Sequence, residues 1–210
     1  MHRVGDVMFD SVLFNTELAT KRSKILETLK LQNKAYALAT VHRAENTDDS
    51  HRLQAIFEAL EKISSEGLRV VLPLHPRTRK LYDALRFSGA KIKIIEPVSY
   101  LDMLQLEQQA QLILTDSGGV QKEAYWMKVP CITLRDETEW IETVEAGWNI
   151  LAGADRDKII ESATADRRPS AQYPAYDDGK AGEKIVDILR QPGFYRENQK
   201  CSTRAKIKKS

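Results

Sequence analysis

The sequence predicts an α/β protein built on a doubly wound, Rossmann-like parallel sheet. Short apolar runs alternate along the chain with longer amphipathic segments, and this repeated β-α alternation is typical of a parallel sheet covered by helices. The chain can also bury a substantial core, because it has 210 residues of which 42% are hydrophobic. One large domain, alone or with appendages, is the expected organisation.

Six apolar runs have the length and residue types of buried strands. We predict strands at residues 36–41, 69–74, 91–95, 112–115, 131–134 and 149–151. Helix patterns lie around them. The clearest, at residues 52–64, has one apolar face made of Leu53, Ile56, Phe57, Leu60 and Ile63. Further helices are predicted at residues 11–31, 100–110 and 180–189, and a loop at residues 166–178, which are rich in Pro, Tyr and charge.

Charge is balanced over the whole chain. The 32 basic and 30 acidic side chains leave a formal charge of +2, which argues against nucleic acid or a membrane as the main partner. Basic residues concentrate only at 196–210, where we expect a solvated tail. The sequence contains no apolar run of membrane-spanning length and no signal pattern, so the cytoplasm is the expected location.

Cysteine usage points to a reducing compartment. Cys131 and Cys201 are far apart in the sequence and lack the paired spacing of a zinc site. Cys131 lies within an apolar run, where a small buried residue without chemistry is expected.

The strongest local signal is residues 115–124, where a strand end passes through two glycines into a helix. Gly118 and Gly119 let a diphosphate approach the backbone, and the start of the following helix favours negative charge. Ser117 adds a hydroxyl donor, while the Glu123 carboxylate is placed to accept hydrogen bonds from ribose hydroxyls. The structural alternative is a tight strand-to-helix turn with a surface glutamate.

A second polar cluster, at residues 40–46, follows the first strand at the edge where open parallel sheets bind ligands. His42 can donate a proton or a hydrogen bond, Arg43 can bind oxygen anions, and Glu45 can orient either of them. A lone histidine more often has a structural role, but this density of polar groups at a strand end favours a site.

Two further strand ends carry polar residues. His75 precedes Pro76 after the second strand, with site and structural interpretations equally open. Arg135 follows the fifth strand, where it can neutralise a phosphate. The acidic residues after it are predicted to form the first turns and the solvated face of the next helix; they are Glu137, Glu139, Glu142 and Glu145.

Taken in order, these residues resemble the carboxyl-terminal domain of the non-hydrolysing UDP-N-acetylglucosamine 2-epimerases, which have a two-domain, glycosyltransferase-B-like architecture. The resemblance extends from about Gly5 to Leu189, and residues 5–10 resemble the crossover into that domain. Its signatures are the clusters at 42–46, 75–76, 115–124, 135–139 and 142–147. The implied organisation is a crossover segment and helix at 1–34, a UDP-binding Rossmann-like domain at 35–190, and a basic tail at 191–210.

The resemblance also implies roles for individual residues. Ser117, Gly118 and Gly119 would bind the diphosphate, Glu123 the ribose and Arg135 the phosphate side of the nucleotide, and the catalytic His42 would face the reacting sugar. The remaining residues expected to contact the UDP-sugar are Arg43, Glu45 and His75.

The family reaction eliminates UDP to leave a 2-acetamidoglucal and then returns it, with the C2 proton on the other face, and needs no metal or nicotinamide cofactor. The carboxylates that move the C2 proton would belong to the other domain, so the isolated chain is expected to be inactive. A homodimer is implied for the full-length enzyme, and a place in cell-surface polysaccharide biosynthesis.

Three alternatives stay open at the level of the sequence. Residues 136–149 also resemble relatives that epimerise UDP-linked diacetamido-uronic acids, which present the same UDP group to this domain. The other two are a catalytically dead UDP-sugar-binding module and a donor-binding domain of a glycosyltransferase, which would need an acceptor.

Overall fold

The computed structural model describes residues 1–74, 76–85, 92–165 and 178–191, with the backbone alone at residues 76 and 77. The chain divides into two compact units. The larger comprises residues 14–173, and the smaller combines residues 1–13 with residues 174–210. The candidate site lies in the larger unit.

A parallel sheet forms the centre of the larger unit. Its strands, in chain order, are β1 (Tyr36–Thr40), β2 (Arg69–Pro73), β3 (Ile92–Ile95), β4 (Leu112–Thr115), β5 (Cys131–Thr133) and β6 (Asn149–Leu151). Their order in space is β3-β2-β1-β4-β5-β6, and every pairing is parallel. This is the strand order of Rossmann domains, so the predicted fold class is confirmed.

The strand order reverses between β1 and β4. From β1 the chain proceeds outward through β2 to β3, and it then returns to β4 on the other side of β1. Thr40 and Thr115 are paired at the ends of these two strands. Because the connections that follow them leave toward opposite sides, a crevice opens at these ends, where doubly wound folds bind ligands.

Ten helices are described: α1 (Val7–Arg22), α2 (Ile25–Leu29), α3 (Ala44–Thr47), α4 (Ser50–Ser65), α5 (Pro76–Ala84), α6 (Tyr100–Gln109), α7 (Gly118–Trp126), α8 (Ile141–Glu145), α9 (Arg156–Thr164) and α10 (Ala181–Arg190). Capping side chains fix several of their starts. Asp49 accepts hydrogen bonds from the first turn of α4, Ser99 from α6 and Asp155 from α9. None of these described helices is long and apolar enough to cross a bilayer.

The core of the larger unit has two layers, one on each face of the sheet. Ala37 and Ala39 point into a layer completed by α4 and α9, whereas Tyr36 and Leu38 point into one completed by α2, α6 and α7. All five residues of β1 are buried, as expected for a central strand covered on both faces. Because both faces of the strand are buried, helices must cover the sheet on both sides.

The predicted helix at residues 11–31 is two helices. It begins earlier, at Val7, and is interrupted between α1 and α2 at Ser23 and Lys24. The Ser23 hydroxyl accepts a hydrogen bond from the Ile25 amide and donates one to the Asp102 carboxylate on α6. A side chain that bonds to the backbone locally stops one helix and starts another. Residues 166–177 of the predicted loop at 166–178, and residues 192–210 of the predicted tail at 191–210, lie outside the described residues.

The smaller unit is organised by two aspartates. Asp6 accepts a hydrogen bond from the Met8 amide, 2.8 Å away, at the start of α1. Asp10 accepts hydrogen bonds from the amides of Ala181 and Gly182 at 3.0 and 2.7 Å. The α10 helix predicted at residues 180–189 is confirmed, and Asp10 supplies a negative charge at its first turn.

Candidate nucleotide-binding site

The candidate site lies where β1, β4 and β5 end side by side. His42 and Arg43 follow β1, Ser117 and Gly118 follow β4, and Arg135 follows β5. The pairing of Thr40 with Thr115 and of Thr115 with Thr133 brings these three segments to the same edge of the sheet. The structure therefore collects five of the predicted site residues at one place.

Asp116 ties the segments after β1 and β4 together. Its fully buried carboxylate accepts hydrogen bonds from the backbone amides of His42 and Arg43, each at 3.0 Å, and from the Asn46 side chain at 3.2 Å. Asn46 also donates to the Leu134 carbonyl at 2.9 Å, which extends the connection to the end of β5. One buried carboxylate thus positions the backbone of the whole cluster, since a buried charge needs such partners.

His42 is held from one side and open on the other. Its Nδ1 lies 3.4 Å from Asp116 Oδ1, yet 53% of the side chain is exposed. A carboxylate at Nδ1 favours a proton on that nitrogen and leaves Nε2 free to face a ligand. This is the arrangement of an oriented acid or base rather than of a core histidine.

The turn into α7 has the form that the two glycines predict. Ser117 caps the helix, with its hydroxyl accepting from the Val120 amide at 3.5 Å, and its own amide donates to the Thr115 hydroxyl at 2.9 Å. Nine residues of helix follow, from Gly118 to Trp126. Amides at the start of such a helix and its positive dipole end favour an anion.

Charged and aromatic groups surround Gly118. A Cβ atom placed there would lie 3.3 Å from Trp140 Nε1, 3.7 Å from Glu139 Oε2 and 3.9 Å from Arg43 Nη2. Lys122 lies under the same Trp140, with Nζ 4.2 Å from the ring centroid. Only a residue without a side chain leaves room for a ligand between these groups and the backbone.

Arg135 is almost completely buried, with 4% of its side chain exposed, and it forms a bidentate ion pair with Glu139. The two hydrogen bonds measure 2.8 and 2.9 Å. The hydrogen bonds from Arg135, then a backbone hydrogen bond and the charges of Arg135 and Arg43, lower the pKa of Glu139 to about 2. The prediction that Glu137 and Glu139 lie on the following helix is wrong, because α8 begins only at Ile141 and Glu139 turns back to the arginine.

Glu123 lies in the second turn of α7, buried beside a second carboxyl group. The Tyr100 hydroxyl is 3.5 Å from its Oε1. Burial raises the pKa of Glu123, and the Tyr100 hydrogen bond opposes that shift. On α6, burial and then the charge of Glu123 raise the pKa of the fully enclosed Glu107 well above its usual range. The structural alternative, a tight turn followed by a surface glutamate, is therefore wrong for Glu123, because its side chain is buried.

Glu45 forms an ion pair with Arg52. Arg52 Nη2 lies 3.2 Å from Glu45 Oε1, and Arg52 also donates to Asn46 and to Asp136. These contacts brace α3 and α4 against the segment after β5. The direct contact of Glu45 with substrate stays a prediction, and His75 lies outside the described residues.

Sequence reasoning missed the residues that organise the site. Asp116 stands beside the serine of the glycine turn, and its position directly after a buried strand was a signal that it lies at the site. Nothing in the pattern indicated the contacts of Asn46, Glu139 or Trp140, which depend on how separate strand ends meet. Cys131 is buried, as predicted, and burial raises the pKa of its thiol to about 12.

Comparison with known proteins agrees with this geometry. The sequence model of the family described as UDP-N-acetylglucosamine 2-epimerase matches residues 1–190. A UDP-N-acetylglucosamine 2-epimerase homolog of Methanococcus maripaludis is 49% identical over 89% of this chain and 54% of its own length. The UDP-2,3-diacetamido-2,3-dideoxy-D-glucuronate 2-epimerase of Pseudomonas aeruginosa is 46% identical over 89% of this chain and 51% of its own.

A solved structure has the same fold. The UDP-GlcNAc 2-epimerase of Methanocaldococcus jannaschii, in complex with UDP-GlcNAc and UDP, is 44% identical, with a TM-score of 0.79 over 90% of this chain and 54% of that one. The predicted architecture, a Rossmann-like sheet that matches about half of a glycosyltransferase-B-like epimerase, is confirmed by this similarity. The chain spans about half the length of the relatives it matches. By its family match and its fold, the chain belongs to the UDP-N-acetylglucosamine 2-epimerase family.

Proposed function

We propose that this chain is the nucleotide-binding half of a UDP-N-acetylglucosamine 2-epimerase, an isomerase that interconverts UDP-GlcNAc and UDP-ManNAc. The observation that carries the proposal is the Asp116 carboxylate, which binds the backbone of His42 and Arg43 directly beside the Ser117–Gly118 turn. The proposed proton donor and the proposed anion site thereby lie together at the crevice between β1 and β4.

The diphosphate of the substrate is proposed to bind at the start of α7. The amides after Ser117 and the positive end of the helix favour its charge, and Gly118 leaves space for close approach. Arg43, whose Nη2 lies 3.9 Å from the position of a Gly118 Cβ, supplies a cation at the same place. Arg135 is the second proposed phosphate ligand.

His42 is proposed to act on the departing diphosphate. In the elimination, the bond from C1 to the phosphate oxygen breaks and the C2 proton leaves, which gives UDP and a 2-acetamidoglucal. The exposed side of His42, with Nδ1 fixed by Asp116, can give a proton to the phosphate oxygen and recover it when UDP adds back. No base for the C2 proton is assigned among the described residues.

The other substrate contacts remain proposals. Glu123, buried beside Tyr100 on the same helix as Gly118, is assigned to the ribose hydroxyls, with Glu45 and His75 as further contacts of the UDP-sugar. A UDP-linked diacetamido-uronic acid is the second candidate substrate, because the relative with that activity is 46% identical. For the whole enzyme we propose a cytoplasmic homodimer that serves cell-surface polysaccharide synthesis.

Calorimetric titration with UDP and with uridine tests the proposal. We expect UDP to bind at least about tenfold more tightly, because charge-assisted hydrogen bonds to the diphosphate add to those of the nucleoside. The UDP affinity should fall with added salt while that of uridine stays nearly constant. Equal affinities for the two ligands would remove the phosphate role of the glycine turn.

A further inference from the structure

The Glu139 carboxylate occupies the region in which a diphosphate would meet the start of α7. Its Oε2 lies 3.7 Å from the position of a Cβ atom on Gly118, and both of its oxygens accept hydrogen bonds from Arg135. A planar guanidinium binds carboxylate and phosphate oxygens in the same bidentate manner. Glu139 therefore holds the positions on Arg135 that a phosphate group would take.

The two partners of this ion pair differ in their freedom to move. Only 4% of the Arg135 side chain is exposed, whereas 54% of the Glu139 side chain is. Glu139 lies in the segment between β5 and α8, outside both elements. The buried arginine is fixed, so an exchange of ligands requires movement of the exposed carboxylate alone.

The surroundings favour an anion on Arg135 in every state. A buried guanidinium without a counter-charge is strongly destabilising, and Arg135 Nε already lacks a hydrogen-bond partner among the described residues. Arg43 adds positive charge at the same place, and both arginines lower the pKa of Glu139. Glu139 is thus ionised at neutral pH and neutralises the site when no ligand is bound.

We propose that Glu139 is an internal competitor of the nucleotide diphosphate, bound to Arg135 in the free chain and released from it when the diphosphate binds. The proposal rests on the proposed function, since it takes Arg135 as a phosphate ligand. As a consequence, UDP binds less tightly than it would to Arg43, Arg135 and the start of α7 without Glu139. Glu139 thereby limits how long the nucleotide stays bound.

A permanent brace would behave differently. If Glu139 only holds Arg135 in place, its removal would disorder the guanidinium and weaken UDP binding. If Glu139 competes, its removal leaves a buried cation without its bidentate counter-charge, and UDP binds more tightly. The sign of the change in affinity separates the two roles.

The test compares Glu139→Gln with Glu137→Gln in the full chain, using calorimetry with UDP and uridine. Glu137 is an exposed residue of the same segment, so its replacement makes the same change in net charge without breaking the bidentate pair. We expect Glu139→Gln to tighten UDP binding by about tenfold, Glu137→Gln to change it less than about twofold, and uridine binding to stay constant. Equal effects of both variants, or weaker UDP binding by Glu139→Gln, would overturn the proposal.

A crystal structure of the unmodified chain with UDP decides the matter even where Glu139→Gln does not fold. The proposal expects a phosphate oxygen within hydrogen-bond distance of Arg135, with Glu139 more than 4 Å away. An intact ion pair beside bound UDP would overturn it and leave the proposed function standing. Failure of the unmodified chain to bind UDP at all would instead reject the proposed function, and this proposal with it.

Discussion

At the scale of single residues, the site depends on charges that are buried in pairs or held by backbone amides. Asp116 is enclosed completely, but its hydrogen bonds from two amides and one side-chain amide satisfy the carboxylate. His42 gains its orientation from this fixed group while its ring remains half exposed. A rigid support with an accessible ring is what proton transfer requires.

The first prediction concerns His42→Asn in an active enzyme that contains this chain. We expect UDP binding within a small factor of the unmodified protein and turnover lower by on the order of a hundredfold, a typical general acid–base contribution. Turnover and melting temperature are measured on the same preparation, with His51→Asn, at an exposed position of α4, as the control. A variant that melts several degrees lower but turns over normally per folded molecule would end the catalytic assignment.

The second prediction uses the buried Glu107. Burial first, and then the charge of Glu123, raises its pKa in the folded chain, so the folded state holds a proton that the unfolded state has released. Its stabilising contribution is complete below the unfolded pKa, near 4.3 for a glutamate, and is lost as the pH rises through the folded value. Glu107→Gln mimics the protonated form and should therefore gain stability relative to the unmodified chain as the pH increases.

Denaturant unfolding at pH 4.5 and pH 8 measures this difference. The exposed Glu137→Gln serves as the control, and its stability relative to the unmodified chain should change little between the two pH values. If Glu107→Gln changes the free energy of unfolding equally at pH 4.5 and pH 8, Glu107 is ionised in the folded chain as it is in the unfolded one.

Residue types alone predicted part of the site. Polar residues directly after buried strands identified His42, Arg43, Ser117, Gly118 and Arg135, because the carboxyl ends of parallel strands share one edge. The partner of each residue could not be predicted in this way. Arg135 binds Glu139 within a segment that has no regular secondary structure. Glu107 lies near Glu123 because α6 packs close to α7, which the sequence pattern does not show.

At the scale of elements, α7 is the component on which the proposed function depends most. Its start presents amides at the crevice, and its later turns carry Lys122 and Glu123, both buried. The two glycines after the fourth strand predicted its position, and the six strand predictions agree with the structure to within one residue at each end. The predicted helix at 11–31 was wrong as a single element, because the contact of Ser23 with Asp102 is not visible in a periodic pattern.

The third prediction is that Gly118→Val abolishes tight binding of UDP while the chain stays folded. The added side chain would fill the space between the α7 backbone and Trp140, where even a Cβ atom would lie 3.3 Å from Nε1. Calorimetry should show UDP affinity lower by at least about tenfold, with Gly118→Ala intermediate and far-UV circular dichroism unchanged. Normal UDP binding by the valine variant would place the diphosphate elsewhere.

At the scale of the whole molecule, the edge of the sheet where the strands end is proposed to form one wall of a nucleotide site. The relatives that it matches are about twice as long, and we propose that the groups for C2 proton transfer lie in the part of them that this chain does not cover. Binding and turnover are therefore separable properties. In the 210-residue chain we assign residues to nucleotide binding, and we assign none to C2 proton transfer.

The fourth prediction is that the 210-residue chain binds UDP-GlcNAc without epimerising it. Proton NMR in heavy water should show no loss of the substrate C2 proton and no released UDP over hours, while titration shows binding. An active relative of full length serves as the control for the exchange assay. Measurable C2 exchange by the purified chain would require a base among its own residues, with His42 and Glu45 as the first to replace.

The central position of β1 has a consequence for biosynthesis. Ala37 pairs on one side with Val70 but on the other with Leu112, so a completed β1 must wait for a much later part of the nascent chain. At typical rates of translation this interval is on the order of ten seconds. Throughout it, one edge of a fully buried and largely apolar strand lacks its neighbour, and such edges template pairing with other chains. The long-range pairing that brings His42 to the glycine turn thus makes the unfinished polypeptide vulnerable to aggregation until β4 emerges from the ribosome.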